Sequence, residues 1–306
     1  MKRLISLALA AFSLLAVILV PQTAKADNSA APYIGISPYR QTITIKPGEV
    51  YTGSFKVVNV GEVDFKYTIS VSPYNVIGTE YTPDFNATGP LSMIKDWVTF
   101  SSYSGELAPH TSSDPILYTI TVPSEIPSGS QYAAIKDTIV NEDTAESTGI
   151  NNITSAAMLV YAEVSDGNGY YDGEIIENNV PQFVFSAPLT TSSLVSNTGN
   201  LYADASYLLE IYSIFNQDEP AYTNQEDNVS AIILPDTKRF HAQNWFEAPM
   251  VGIFKVRQTI KFLDKVSVVE KIVIVCPLWL IFLIIFGLFV IIIWLRARAK
   301  SRRESK

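Results

Sequence analysis

The sequence predicts an all-β protein with two tandem immunoglobulin-like β-sandwiches followed by one transmembrane helix. Three observations predict this architecture. Segments between residues 30 and 268 alternate apolar and polar residues with a period of two, which is typical of half-buried antiparallel strands. The pattern Asn-x-Gly followed by an alternating run occurs twice, at Asn59 and at Asn197. The apolar segment 272–295 contains 24 residues without a charge, which is enough helix to cross a bilayer.

The first 26 residues are typical of a secretory signal peptide. A positively charged start precedes an apolar run from Leu4 to Val20, and Ala24 and Ala26 form a small-x-small cleavage pattern. We therefore expect cleavage after Ala26 and export of the chain. An uncleaved N-terminal anchor is the alternative, because the 17 apolar residues are close to the lower limit of a span.

The other end of the chain predicts a stop-transfer anchor with a cytoplasmic tail. Residues 296–306 carry six basic side chains against Glu304 alone. The positive-inside rule places such a tail in the cytoplasm. We therefore expect a single-pass protein of the cell membrane, with its N-terminus outside and the lipid bilayer as a partner of residues 272–295.

Charge and cysteine content narrow the classes of partner. The 306-residue chain has a net charge of −8; the signal carries three positive charges and the tail a net five, so the region between them has about −16. Such a surface repels nucleic acid and anionic headgroups, which excludes both as ligands of this region. The single cysteine, Cys276, lies in the predicted span. The exported part therefore has no disulfide, which favours a bacterial surface protein.

Two halves of the exported region share the same order of turn residues. Asn59 and Gly61 in the first half correspond to Asn197 and Gly199 in the second. We interpret both pairs as the same corner between two strands, with a first sandwich at 30–165, a linker rich in Gly and Asn at 166–179 and a second sandwich at 180–268. Chance similarity is the alternative, because Asn and Gly are common in turns.

The first unit is predicted to carry an insertion. Asn59 to Pro109 spans 50 residues, whereas Asn197 to Pro235 spans 38, so the first unit has about 12 more residues. The extra residues are expected within the stretch SPYNVIGTEYTPDFNATGPLSMIKDW, in which SMIKDWV could form one helical turn.

The stretches ITIKPGEVYTGSFKVVNVGEVDFKYTISVSPY and LAPHTSSDPILYTITVPSEIPSGSQYAAI resemble the first domain of WxL-interacting surface proteins of Gram-positive bacteria. LVSNTGN, ILPDTKRF and APMVGIFKV resemble the second domain, and the whole layout is similar. The resemblance implies peptidoglycan binding by the first domain and capture of a partner protein by the second. The chain departs from the family at residues 128–131, where a glycine-rich ending is usual, and no family binding residue maps onto it.

One segment has the composition of a weak Ca²⁺ site. DGNGYYDGE supplies oxygen ligands at alternate positions around glycines, from Asp166, Asn168, Asp172 and Glu174. Its spacing does not fit the EF-hand loop, and a flexible linker with turn-forming residues is the alternative. No cofactor is expected.

Aromatic residues inside polar loops are the candidate ligand contacts. Such rings stack on sugars or anchor protein partners, and the alternative is a loop that folds its ring back onto the core. The candidates are Tyr74, Tyr81, Tyr170, Tyr171 and Trp245.

The sequence favours a non-catalytic binding or scaffold protein over an enzyme. His110 and His241 are its two histidines, and no nucleophile elbow or zinc-protease motif occurs. The predicted partner is cell-wall glycan or a surface or membrane protein. The alternatives are an assembly chaperone or secretion-complex subunit that uses an open sheet edge, and an ectoenzyme.

Overall fold

The computed structural model describes residues 32–126, 128–140, 154–165, 167–225 and 229–304, with side chains as far as residue 296. The predicted signal peptide lies outside the described residues. The described part is all-β apart from one short 3-10 helix and one long C-terminal helix. It forms two tandem immunoglobulin-like sandwiches, as the alternating sequence predicts.

The first sandwich packs a four-stranded sheet on a five-stranded sheet. The sheet orders are β1-β3-β9-β7 and β2-β11-β10-β4-β8. Its elements are β1 Ile34–Ser37, β2 Arg40–Ile45, β3 Val50–Asn59, β4 Phe65–Pro73, β5 Asn75–Ile77, β6 Thr82–Asp84, the 3-10 helix Pro90–Asp96, β7 Val98–Phe100, β8 Ser104–Leu107, β9 Ile116–Thr121, β10 Gly129–Ile139 and β11 Ser155–Val164.

The first strand of this sandwich changes sheet between β1 and β2. β1 pairs antiparallel with β3, whereas β2 pairs parallel with β11 over Leu159–Val164. The inward side chains alternate along each strand and form one apolar core, which includes Phe55, Val57, Tyr118, Ile120 and Ile135. Period-two alternation in the sequence therefore becomes a buried layer between two sheets.

The predicted insertion forms a separate layer on the outside of the five-stranded sheet. β5 and β6 form a hairpin, and the 3-10 helix that follows contains the expected helical turn. Outward-facing Tyr132, Ala134 and Tyr161 of β10 and β11 are buried beneath this layer together with Tyr74. A sheet face that an immunoglobulin-like domain normally exposes is thus covered here.

The second sandwich packs a three-stranded sheet on a larger one. The sheet orders are β12-β14-β18 and β13-β20-β19-β15-β16, and β17 also pairs with β15. Its strands are β12 Gly173–Asn179, β13 Phe183–Val184, β14 Leu189–Asn197, β15 Ala203–Ser213, β16 Tyr222–Thr223, β17 Ser230–Ile233, β18 Thr237–Trp245, β19 Gly252–Phe262 and β20 Lys265–Val275. Two adjoining apolar clusters form its core.

The structure corrects the predicted linker 166–179. Residues 173–179 form β12, which pairs with β14 from Gly173↔Asn197 to Asn179↔Ser192. The linker prediction is wrong because β12 buries only part of one face against the sandwich. Its sequence GEIIENN is therefore largely polar and resembles a loop. The described connection between the sandwiches is therefore shorter than predicted.

The structure also corrects the boundary between the second sandwich and the helix. β20 continues past residue 268 to Val275, and helix α1 spans Leu278–Glu304 rather than beginning at 272. The error arises because a β-strand with apolar residues on both faces looks like the start of an apolar helix. Leu278–Arg296 is 19 residues long, unburied, and long and apolar enough to cross a membrane.

Candidate functional site: the cleft between the sandwiches

The predicted corners are built in the same way in both sandwiches. The side-chain amide of Asn59 donates to the Val63 carbonyl at 2.8 Å, and that of Asn197 donates to the Leu201 carbonyl at 2.8 Å. Each amide also reaches a carbonyl in the second half of its own unit, Leu107 at 3.3 Å and Ile233 at 2.8 Å. Each corner thus ties two distant strands together through one buried amide.

The glycines of the two corners also have matching contacts. The N–H groups of Gly61 and Gly199 donate to the side-chain oxygens of Asn59 and Asn197, each at 2.9 Å. Neither glycine is among the described glycines with positive φ. At Gly199 the constraint is close approach, because an added Cβ would lie 2.7 Å from the Asp172 nitrogen and the Tyr170 oxygen.

The second corner connects the two sandwiches. The Asn200 carbonyl accepts the Ser130 N–H at 2.9 Å, and the Asn200 side chain donates to the Ser128 carbonyl at 3.2 Å. The Tyr202 N–H donates to the Ser130 hydroxyl oxygen at 2.8 Å. The beginning of β10 is therefore attached to the loop between β14 and β15.

Tyr81, at the tip of the insertion, forms a second connection. Its hydroxyl accepts the Leu234 N–H at 2.9 Å and is hydrogen-bonded to the Thr237 hydroxyl. Because the Thr237 hydroxyl donates to the Leu234 carbonyl at 2.7 Å, Tyr81 is the donor to Thr237. The Arg239 guanidinium lies over the Tyr81 ring, 4.4 Å from its centroid, a favourable cation–π geometry. The Phe240 N–H donates to the Thr79 carbonyl at 2.9 Å. The insertion thus bridges both sandwiches.

These connections surround a cleft of about 270 Å³. Both sandwiches contribute to its walls, which contain four tyrosines and two arginines but no carboxylate among the described residues. The residues are Tyr39, Arg40, Tyr74, Tyr81, Leu159, Tyr161, Ser230, Ala231, Ile232 and Arg239. Burial raises the pKa of the Tyr81 and Tyr161 hydroxyls, so both stay neutral donors.

The two arginines give the cleft a local positive charge. Arg40 is exposed at the start of β2. Arg239 is half-buried, and its Nη1 donates to the Ile232 carbonyl at 2.6 Å, which leaves further guanidinium donors. The described residues provide neither arginine of the cleft with a carboxylate partner. The cleft can therefore bind an anion, and a carboxylate suits the planar guanidinium.

An open strand edge begins beside this cleft. β2 covers the outer edge of β11 from Leu159 onward, starting opposite Arg40, and the Leu159 N–H donates to the Tyr39 carbonyl at 3.0 Å. Because backbone groups alternate sides along a strand, Ser155 and Ala157 point their N–H groups to this same edge. No described strand pairs with them there.

The predicted aromatic contacts divide into three groups. Tyr74 and Trp245 are buried, so the prediction of exposed ligand rings is wrong for these two. Tyr74 packs beneath the insertion on the five-stranded sheet, and Trp245 packs in the core of the second sandwich. Tyr81 lies at the contact between the sandwiches. Tyr170 and Tyr171 are exposed, on the loop that joins the sandwiches.

The predicted Ca²⁺ ligands do not converge in the described part of the chain. Asp166 lies outside it, and no group of three or more His, Cys, Asp or Glu residues gathers elsewhere in the described ranges. The Asp172 carboxylate accepts the Thr198 hydroxyl at 2.8 Å, which lowers the pKa of Asp172. Asn168 is on the connecting loop and Glu174 is exposed on β12. This hydrogen bond favours the turn interpretation of Asp172.

The two histidines lie apart. His110 has a positive φ of 55° and contacts Glu62 at 3.2 Å on the surface. His241 stacks on Tyr207 with ring centroids 4.1 Å apart, and burial lowers its pKa, with a smaller effect from Arg239. Each histidine has a local contact that explains it without catalysis.

Sequence reasoning missed the two arginines because they are 199 positions apart and each is followed by an ordinary strand. A usable signal is nevertheless present. Arg40 directly follows Pro38 and Tyr39, where β1 and β2 separate. Arg239 is two residues after the turn Leu234–Thr237, which has the same Thr-to-carbonyl hydrogen bond as Ala108–Thr111 in the first unit. Each arginine is thus marked by a preceding turn, but no local pattern indicates that the two lie close together.

Comparisons with known proteins identify structures of similar fold but no family to which the chain belongs. No protein-family model and no curated protein matches the chain. Among solved structures, the chain is similar to the class 5 fimbriae chaperone CfaA, with 13% identity over 78% of this chain and 98% of that one and a TM-score of 0.38.

Two further matches have comparable values. The E. coli chaperone DraB is 11% identical over 80% of this chain and 97% of that chain, with a TM-score of 0.38. The CsuC–CsuE chaperone–tip adhesion subunit complex of Acinetobacter baumannii matches with 11% identity over 77% and 96% and a TM-score of 0.36. Because these TM-scores are below 0.5, the function is inferred below from the cleft itself.

Proposed function

We propose that this chain is a non-catalytic, membrane-anchored binding protein of the cell exterior whose partner is another protein. An extended segment of that partner lies along the open edge of β11, and a carboxylate of the segment enters the cleft between Arg40 and Arg239. This is the assembly-chaperone or secretion-complex function that uses a sheet edge. The observation that carries it is the position of Arg40, at the point where the open edge begins.

Backbone geometry supports the strand-binding part of the proposal. An added strand would satisfy the outward N–H groups of Ser155 and Ala157 and continue the sheet, which is the usual mode of β-augmentation. Main-chain hydrogen bonds provide affinity with little demand on sequence. The cleft then sets the register, because a terminal or side-chain carboxylate fits opposite the two guanidinium groups.

Electrostatics support the carboxylate part. The ectodomain is acidic as a whole, yet the cleft has two arginines and no acidic lining residue among those described. An anionic segment therefore finds a favourable position in this cleft, although the net charge of the ectodomain repels it. Charge complementarity of this kind contributes specificity more than raw affinity.

Helix α1 supports membrane anchoring, and the basic tail supports an external position for both sandwiches.

Cell-wall glycan, the ligand implied by the resemblance to WxL-interacting proteins, stays a second candidate. One observation favours it: Tyr170 and Tyr171 are adjacent and exposed, as rings that stack on sugars must be.

The test uses the full chain in nanodiscs and fluorescent nine-residue peptides with alternating apolar residues. Each peptide is made with a free C-terminal carboxylate and with an amide. We expect the carboxylate form to bind about tenfold or more tightly, since a charged hydrogen bond is worth roughly 1.5–3 kcal/mol. Arg40→Gln and Arg239→Gln should remove this preference, and Lys56→Gln, on β3, should not. Equal binding of both peptide forms would refute the carboxylate site.

A further inference from the structure

The two ends of the second sandwich have different neighbours. The loop between β14 and β15 and the turn between β17 and β18 contact the first sandwich. At the opposite end, the start of β19 pairs with the end of β20, Gly252↔Val275, and the end of β15 lies beside Phe254. Only Cys276 and Pro277 separate this end from α1. The connection is too short for this end to leave the region where the helix emerges.

Three loops of that end expose large apolar side chains. They follow β13, β15 and β18, and the five side chains are between 48% and 91% exposed: Phe185, Phe215, Phe246, Met250 and Val251. We call these five residues the apolar rim. Strand pairing places all three loops beside Val275: Val184 pairs with Val275 itself, and Ile214 N–H donates to the Ile253 carbonyl at 3.2 Å.

We propose that the apolar rim inserts into the outer interface of the bilayer that α1 crosses, so that the second sandwich stands directly on the membrane. The inference rests on the proposed membrane anchoring. Continuity with α1 identifies lipid as the occupant, because the rim lies at the end of the sandwich from which the helix emerges, and the first turn of that helix exposes Leu278 and Trp279. Side chains of this kind enter the headgroup region by about 5–10 Å.

The charges of the rim loops define how the contact works. The loops contain Asp218, Glu219 and Glu247 and no Lys or Arg. Attraction between the rim loops and anionic headgroups therefore contributes nothing, and insertion of the rim depends on apolar burial. The lysines nearest to the rim have partners within the sandwich: Lys255 pairs with Glu270 at 2.9 Å, and Lys271 donates to the Val180 carbonyl at 3.0 Å. Lys261 and Lys265 are at the far ends of β19 and β20.

The experiment places an environment-sensitive fluorophore at single cysteines in the full chain. Cys276→Ser removes the native thiol, and Phe215→Cys and Phe246→Cys place the label on the rim. Val266→Cys is the matched control, since it is similarly exposed but at the opposite end of β20. Phe286→Cys, in the middle of α1, reports insertion of the helix. The proteins are reconstituted in phosphatidylcholine nanodiscs, with and without doxyl-labelled lipid near the headgroup.

The expected result is a blue-shifted emission for labels at 215 and 246, loss of that emission with doxyl lipid, and neither effect at 266. Salt at 1 M should leave the rim signals unchanged. Rim labels that match the water-exposed 266 label, while the label at 286 is in lipid, would overturn the rim proposal alone. A rim label shielded from water but not quenched by lipid would assign the surface to a protein contact and would also overturn it. A water-exposed label at 286 would contradict the membrane anchoring itself.

Discussion

Replacement of Asn197 by alanine tests the corner on which the second sandwich depends. The change removes three buried hydrogen bonds: the amide to the Leu201 and Ile233 carbonyls, both at 2.8 Å, and the Gly199 N–H to the side-chain oxygen at 2.9 Å. Each buried bond contributes about 1 kcal/mol net, so Asn197→Ala should lower the free energy of unfolding by about 3 kcal/mol.

The assay is urea unfolding followed by tryptophan fluorescence. Trp97 and Trp245 are buried in the first and second sandwich. Each reports its own sandwich in a background where the other three tryptophans, including Trp279 and Trp294 of α1, are phenylalanine. Asn59→Ala, which removes the matching bonds, should destabilise the first sandwich by a similar amount. Asn197→Asp keeps the acceptor for Gly199 but places a carboxylate against two carbonyls, so it should be at least as damaging as alanine.

The control is Gln182→Ala, an exposed substitution in the second sandwich, which should change the free energy by less than about 0.5 kcal/mol. If Asn197→Ala changes stability no more than this control, the corner is not a stabilising unit and the structural correspondence of the repeat loses its physical basis.

Three further predictions follow from buried contacts. Burial raises the pKa of Asp137 from 3.8 to about 7, so between these pH values the folded state holds a proton that the unfolded state has lost. The contribution of Asp137 to the free energy of unfolding should be full below about pH 4 and fall by about 1.4 kcal/mol per pH unit up to pH 7. Urea unfolding of Asp137→Asn at the same pH values should lack this fall. Tyr81→Phe leaves the Leu234 N–H unsatisfied and should cost about 1–2 kcal/mol, with a double-mutant cycle to Thr237→Val showing coupling; additive effects would exclude the bridge. Gly199→Ala forces its Cβ to 2.7 Å from backbone atoms and should lower the free energy of unfolding by about 1–3 kcal/mol, as measured by calorimetry. Gly35→Ala, whose Cβ would have its nearest contact at 3.8 Å, should lower it less. Equal melting temperatures of the two variants would contradict the close approach at Gly199.

Local patterns in the sequence were sufficient to predict the fold class, because successive residues of a half-buried strand face the core and the solvent in turn. Alternation at period two predicted the strands, and the spacing between Asn59 and Pro109 located the insertion. The two boundary errors have the same origin. β12 is polar because most of it faces solvent, and β20 is apolar on both faces near its end, so neither strand shows the alternation on which the prediction relies.

The cleft could not be predicted in the same way, because its charge arises only when distant residues meet. Arg40 and Arg239 belong to different sandwiches and are brought to one cavity by the bridge at Tyr81. Two of the five aromatic candidates were wrong for a related reason. Tyr74 and Trp245 come from stretches rich in polar residues, yet Tyr74 is buried beneath the insertion and Trp245 packs in the core of the second sandwich.

The most direct measurement of the central claim is hydrogen exchange at β11 in the full chain, with and without the carboxylate peptide. In the free protein, the outward Ala157 N–H should exchange quickly, while the Ala156 N–H, which faces β10, should exchange slowly. An added strand would protect Ala157, so we predict that saturating peptide slows its exchange by about tenfold or more, corresponding to about 1.4 kcal/mol. Peptide binding that leaves the exchange of Ala157 unchanged would contradict the account.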